Sequence, residues 1–189
     1  MKKIIIVLFY FMTLTVAAQE SHLDFMGIPI DGNINTFVQK LEKKGLIKSK
    51  ANDKAVILEG TFAGKNAKVF ALNTLKSKTV WKVVVYLDKS SSWYSLKSSY
   101  EEYKRLFTQK YGLPSDHFEF FSKPYYEGDG YELQALKNDK CTYSSYFETV
   151  HGIISVSIGS FGEICLAYQD KKNANEMTKE KNESALDDI

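Results

Sequence analysis

Twice along this chain an amphipathic helix is followed by short alternating strands, and that recurrence limits the fold more than any other feature of the sequence. Ile34, Phe37, Val38 and Leu41 fall at i, i+3, i+4 and i+7, so a helix over 34–44 has one apolar face. Asn33 is placed to cap its start, and Gly45 supplies the left-handed residue that ends it. Trp93, Leu96, Tyr100, Tyr103 and Phe107 make the same stripe on a longer helix, capped by Ser91 or Ser92 and stopped at Gly112-Leu113-Pro114. Strand-like runs at 55–62, 67–74 and 79–88 follow the first helix, with Ala63-Gly64-Lys65-Asn66 and Leu75-Lys76-Ser77-Lys78 as turns. An aromatic connector over 118–131 follows the second helix, and then runs at 131–137, 140–150, 153–159 and 163–169. Asn138-Asp139 and His151-Gly152 suit two-residue hairpins, and Ser160-Phe161-Gly162 suits a three-residue loop.

This order predicts an α+β fold. Two tandem helix-plus-antiparallel-meander repeats, about 25–88 and 92–169, form a two-layer sandwich with one continuous curved sheet. The single domain spans 19–170, and the segment 171–189, with almost no large apolar residues, is expected to be a disordered tail. Apolar residues make up 44% of the chain, enough for one packed core at this length.

Lys2 and Lys3, the apolar run 4–16 and the small residues Val16-Ala17-Ala18 read as a secretory signal peptide over 1–18. The run is too short for a membrane-spanning helix, and no cysteine follows it to carry a lipid. A periplasmic or secreted protein is expected, with no membrane insertion after cleavage. The 25 basic and 23 acidic residues come into balance once Lys2 and Lys3 are removed. A neutral chain lacks the cationic face that nucleic acid requires. Cys141 and Cys165 fall on non-adjacent strands and opposite faces, so both thiols are expected to be free.

Period-2 alternation separates the two faces of the sheet. Val56, Leu58, Phe62, Val69, Ala71, Trp81, Val83, Val85 and Leu87 read as core in the first half. Phe147, Val156, Ile158, Ile164, Leu166 and Tyr168 do so in the second, with Val150 paired to Ile153. The reverse side mixes aromatic, hydroxyl and charged groups. Phe70, Tyr86, Tyr131 and Tyr146 are the candidate partner-binding aromatics, and Lys68, Lys82 and Glu148 the candidate selectivity residues.

Four blocks carry a resemblance: Phe25-Met26-Gly27-Ile28-Pro29-Ile30-Asp31-Gly32, Leu58-Glu59-Gly60-Thr61-Phe62-Ala63-Gly64, Val80-Trp81-Lys82-Val83-Val84-Val85-Tyr86 and Lys110-Tyr111-Gly112-Leu113-Pro114. They are similar to those of a family of small exported proteins of unknown function common in the Bacteroidetes, over about residues 23–170. The element order also resembles the tandem-repeat fold of the β-lactamase inhibitor proteins (BLIP-like). That likeness implies a binding module that uses a concave sheet face.

Catalytic and metal-binding patterns are not found. His22, His117 and His151 show no ligand spacing, and no cysteine pair has any. Asp31, Asn33, Asn35 and Glu42 stand at calcium-loop positions, but Thr36 replaces the required glycine and Phe37, Val38 and Leu41 commit the stretch to a helix. Gly159-Ser160-Phe161-Gly162 joins two strands and so is no nucleophile elbow. No catalytic residue, metal or cofactor is therefore expected. The expected function is an exported, non-enzymatic binding module whose open sheet face receives a protein partner in the cell envelope or outside the cell. The alternative is a carrier of a small molecule, glycan or lipid in a pocket beside the connector, lined by Phe120, Phe121 and Tyr125.

Overall fold

The structure, a computed structural model, describes residues 22–187; the expected signal peptide lies outside the described residues. A two-residue hairpin, β1 (Asp24–Phe25) and β2 (Ile28–Pro29), leads into α1 (Ile34–Glu42). Next come β3 (Ile47–Ala51), β4 (Ala55–Phe62), β5 (Lys65–Asn73) and β6 (Val80–Leu87). The second half runs α2 (Trp93–Tyr111), β7 (Asp116–Phe121), α3 (Glu132–Lys137), β8 (Cys141–Thr149), β9 (Gly152–Ile158), β10 (Ile164–Asp170) and α4 (Lys171–Asp187). The fold is mixed α+β, dominated by one antiparallel sheet in the order β3-β4-β5-β6-β10-β9-β8-β7. The two meanders meet at β6 and β10, where Val83 pairs with Tyr168 and Val85 with Leu166.

The helices α1 and α2 start where their caps predict. The Asn33 side chain accepts from the Asn35 amide at 2.9 Å, and the Ser92 hydroxyl from the Ser95 amide at 3.3 Å. Their apolar stripes cover one face of the sheet. Phe37, Val38 and Leu41 join Val56, Leu58 and Val69 in the core, and Leu96, Tyr100, Tyr103 and Phe107 join Phe147, Val156 and Leu166. Phe107 stands edge-on to Phe147 and to Tyr168. The buried Tyr100 hydroxyl and Ser145 Oγ are 2.6 Å apart, so neither polar atom is stranded under α2. Among the described residues no helix is long and apolar enough to cross a membrane.

Five expectations are corrected. The stretch 131–137 is no strand: Glu132–Lys137 forms α3, whose helix-favouring Glu, Leu, Gln and Ala turn Ala135 and Leu136 inward. The aromatic connector instead begins as β7, which extends the sheet beyond β8. An eighth strand, the lysine-bearing β3, is exposed throughout and forms the other edge, where charge discourages further pairing. Trp81 is half-buried rather than core, because the register shifts between Leu72 and Asn73 and Val80 takes the inward place. The tail is helical: α4 crosses the sheet at the start of β6 and the end of β10, and polar anchors rather than an apolar stripe hold it. Asn173 Nδ2 donates to the Ile30 and Val80 carbonyls at 2.9 and 3.0 Å. Asp170 accepts from the Leu23 and Asn173 amides, each at 2.9 Å.

Candidate functional site

The face away from α1 and α2 carries the residues with the parity of Phe70. On β5 and β6 these are Lys68, Phe70, Leu72, Lys82, Val84 and Tyr86; on β8 they are Thr142, Ser144, Tyr146 and Glu148. Six of the seven candidate binding residues therefore share one face. Tyr131 does not. Its amide is held by Asp129 Oδ1 at 2.7 Å in the turn that starts α3, and its ring stands exposed off the sheet. The sequence reading missed Phe118 and Phe120 as face residues. Their alternation within β7 was the available signal, and Phe118 pairs with Ser144 and Phe120 with Thr142.

The aromatic residues meet in two pairs. Phe70 and Tyr86 lie edge-to-face at 5.3 Å on the first half, and Phe118 and Tyr146 at 6.2 Å on the second. Such contacts hold exposed rings in fixed positions at little entropic cost. Tyr146 is 38% exposed, Phe118 47% and Phe120 48%. The helix α4 borders this face at one end. Met177 lines a depression with Leu72 and Trp81, and Ala174 lines another with Ile153 and Gln169.

A groove of about 660 Å³ lies over the first half, walled by Phe70, Leu72, Val84, Tyr86 and Phe161. Phe161 tops the β9–β10 loop, which is fixed to the chain after β6: the Ser90 amide donates to the Gly162 carbonyl at 2.8 Å. Gly162 sits at φ +79°, and a Cβ there would meet the Ser90 carbonyl at 2.7 Å, so only glycine allows this close approach. Beneath the groove Cys165 pairs with Tyr86 on one side and Ser157 on the other. Burial raises the Tyr86 phenol above its ordinary pKa, and the neighbouring Cys165 and Glu163 reinforce the shift. Burial likewise raises the Cys165 thiol, against hydrogen bonds with Ser157 and Tyr86 that pull it down. Both groups keep their protons at neutral pH, which suits hydrogen bonding and disfavours nucleophilic attack. At the groove's end Glu163 is 8% exposed, and its Oε2 is buried without a hydrogen-bond partner among the described residues.

The other sequence candidates are held elsewhere. Cys141 is buried on the inner face and its thiol is pushed up to about 12, first by burial and then by Glu127 and Glu132; both cysteines are free. His22 lies between Asp170, at 3.2 Å, and Asp31, at 3.5 Å, beside the Asn173 anchor. Among the described residues no group of three or more His, Cys, Asp or Glu is arranged to hold a metal ion. Phe120 and Phe121, expected to share a pocket wall, are consecutive on β7 and point to opposite faces. Phe121 packs inward against Trp93 and Tyr143. Comparison with family models, with curated proteins and with solved structures gives no match to this chain.

Proposed function

We propose that this chain is an exported, non-enzymatic binding module that receives a protein partner on the open face of its sheet. One observation carries the reading: a face spanning both halves keeps four aromatic residues in two fixed pairs while α1 and α2 lie beneath it. An eight-stranded face of strands ~20 Å long offers roughly the ~800 Å² per partner of an ordinary protein interface. Aromatic anchors ringed by Lys68, Lys82 and Glu148 match the make-up of such interfaces. Each half opens with a helix and gives four strands to the sheet, with α3 set between β7 and β8 in the second, and β6 meets β10, the last strand of each set; this supports two tandem repeats in one curved sheet, as in BLIP-like folds. The carrier reading loses support because Phe120 and Phe121 cannot line one cavity.

The test uses the protein as bait in its native envelope extract, with partners identified by mass spectrometry and their affinity then measured with purified components. Tyr146→Ala or Phe70→Ala is expected to weaken binding by about 2 kcal/mol each, with circular dichroism unchanged. A partner that binds both variants as tightly as the wild type sinks the sheet-face reading.

A further inference from the structure

The groove on the first half is lined by Glu163, whose Oε2 has no hydrogen-bond partner among the described residues. Glu163 precedes β10, and the parity of Cys165 puts its side chain on the open face, beside Tyr86 and opposite Gly159. The lack of a side chain at Gly159 makes room for it: a Cβ there would stand 2.7 Å from Glu163 Oε1. A buried carboxylate oxygen with no donor is costly, more so than a neutral acceptor, and such groups are rarely kept without use. The remaining charges of the groove are engaged elsewhere. Lys68 lies 3.7 Å from Glu59, Asp88 accepts from Asn66 at 3.2 Å, and Lys89 rests over the Phe161 ring at 5.1 Å instead of pairing with Glu163.

We propose that this groove is the specificity pocket of the open face and takes an arginine side chain presented by the protein partner. The alkyl stem lies along the Phe70–Tyr86 pair, and the guanidinium donates to Glu163, two residues further along the sheet than Cys165, the partner of Tyr86. A guanidinium fits better than an ammonium there, because it is planar, stacks on aromatic faces and presents a two-pronged donor set to a carboxylate. Lys89 over Phe161 is an internal instance of a cation attracted to this wall. The inference rests on the sheet-face reading and adds what the partner must present.

The probe is N-acetyl-arginine methylamide, with N-acetyl-norleucine methylamide as the same stem without the cation, titrated into 15N-labelled protein. The arginine probe is expected to saturate in the millimolar range and to shift the Tyr86, Ser157 and Cys165 amides. The norleucine probe is expected to bind about tenfold more weakly or less, and Glu163→Gln to lose about tenfold of the arginine affinity. Glu163→Gln is also expected to melt no lower than the wild type, since it removes an unpaired buried charge. Lys89→Met is expected to bind the arginine probe at least as well as the wild type. The inference is overturned if the two probes bind alike, if Glu163→Gln binds the arginine probe unchanged, or if Glu163→Gln or Lys89→Met melts several degrees lower, which would mark an internal ion pair. Failure of these titrations with partner binding still lost in Tyr146→Ala removes the pocket alone; a partner indifferent to Tyr146→Ala and Phe70→Ala removes the face as well.

Discussion

Gly152→Ala is expected to cost about 3 kcal/mol or more in a urea unfolding titration, the largest loss from any single methyl added to this fold. Gly152 opens β9 and pairs with Asp170, the last residue of β10. A Cβ built on it would stand 2.1 Å from the Gln169 carbonyl oxygen, 3.1 Å from that carbonyl carbon and 3.2 Å from the Asp170 Cα. Every atom it meets is backbone, so no rotamer change relieves the overlap. Nor is β10 free to retreat. Asp170 holds the Leu23 and Asn173 amides, and the Lys171 amide donates to the His151 carbonyl at 2.9 Å as the strand passes into α4. The neighbouring Val150→Ala is the control. Val150 is 82% exposed in the turn, so its truncation is expected to shift stability by less than about 0.5 kcal/mol. A Gly152→Ala protein within about 1 kcal/mol of the wild type would mean that β9 and β10 do not approach this closely.

The same turn shows why the faces were legible when the register was not. Sequence pairing of Val150 with Ile153 puts His151-Gly152 in the turn, whereas the structure pairs Thr149 with Gly152 and Phe147 with Ile154. That slip is two residues. A slip of two preserves the side each residue faces, and only a slip of one would have turned Tyr146 inward. Most of the core and six of seven face residues were therefore readable from alternation alone. The losses have a common cause: α3, β3, β7 and α4 do not hold themselves by an apolar period. The edge strand β3 is exposed throughout, β7 has aromatic residues on both faces, and α4 buries Asn173, Ala174 and Glu180 instead of leucines. The Glu163 site was invisible for a related reason. A carboxylate at a strand start is ordinary in sequence, and only its surroundings reveal that Oε2 has no donor.

Polar anchoring of α4 also sets the second large expectation, in acid. Glu180 is nine-tenths buried on α4, where its two oxygens accept from the β5–β6 loop: the Lys76 amide at 2.7 Å and the Ser77 amide at 3.0 Å. Burial by itself would raise this carboxyl. The hydrogen bonds from Lys76 and Ser77, with Thr74 and the Ser77 side chain adding to them, outweigh it and hold the pKa at about 2, against an ordinary 4.5. Because the folded value is the depressed one, the stabilisation is complete above the unfolded pKa and disappears as pH falls from about 5 to about 2. A shift of this size corresponds to roughly 3 kcal/mol at neutral pH. Glu180→Ala is therefore expected to lose about that much at pH 7, because it also strands two loop amides that the helix otherwise satisfies. Asp31, Glu119 and Glu127 are lowered in the same direction, so the wild-type acid transition is not due to Glu180 alone. The difference between wild type and Glu180→Ala, followed by urea midpoint against pH, isolates it: widest near neutrality and closing toward about pH 2. A difference that stays constant with pH would mean that Glu180 holds α4 by packing and not as a carboxylate, and one near zero would detach α4 from the β5–β6 loop.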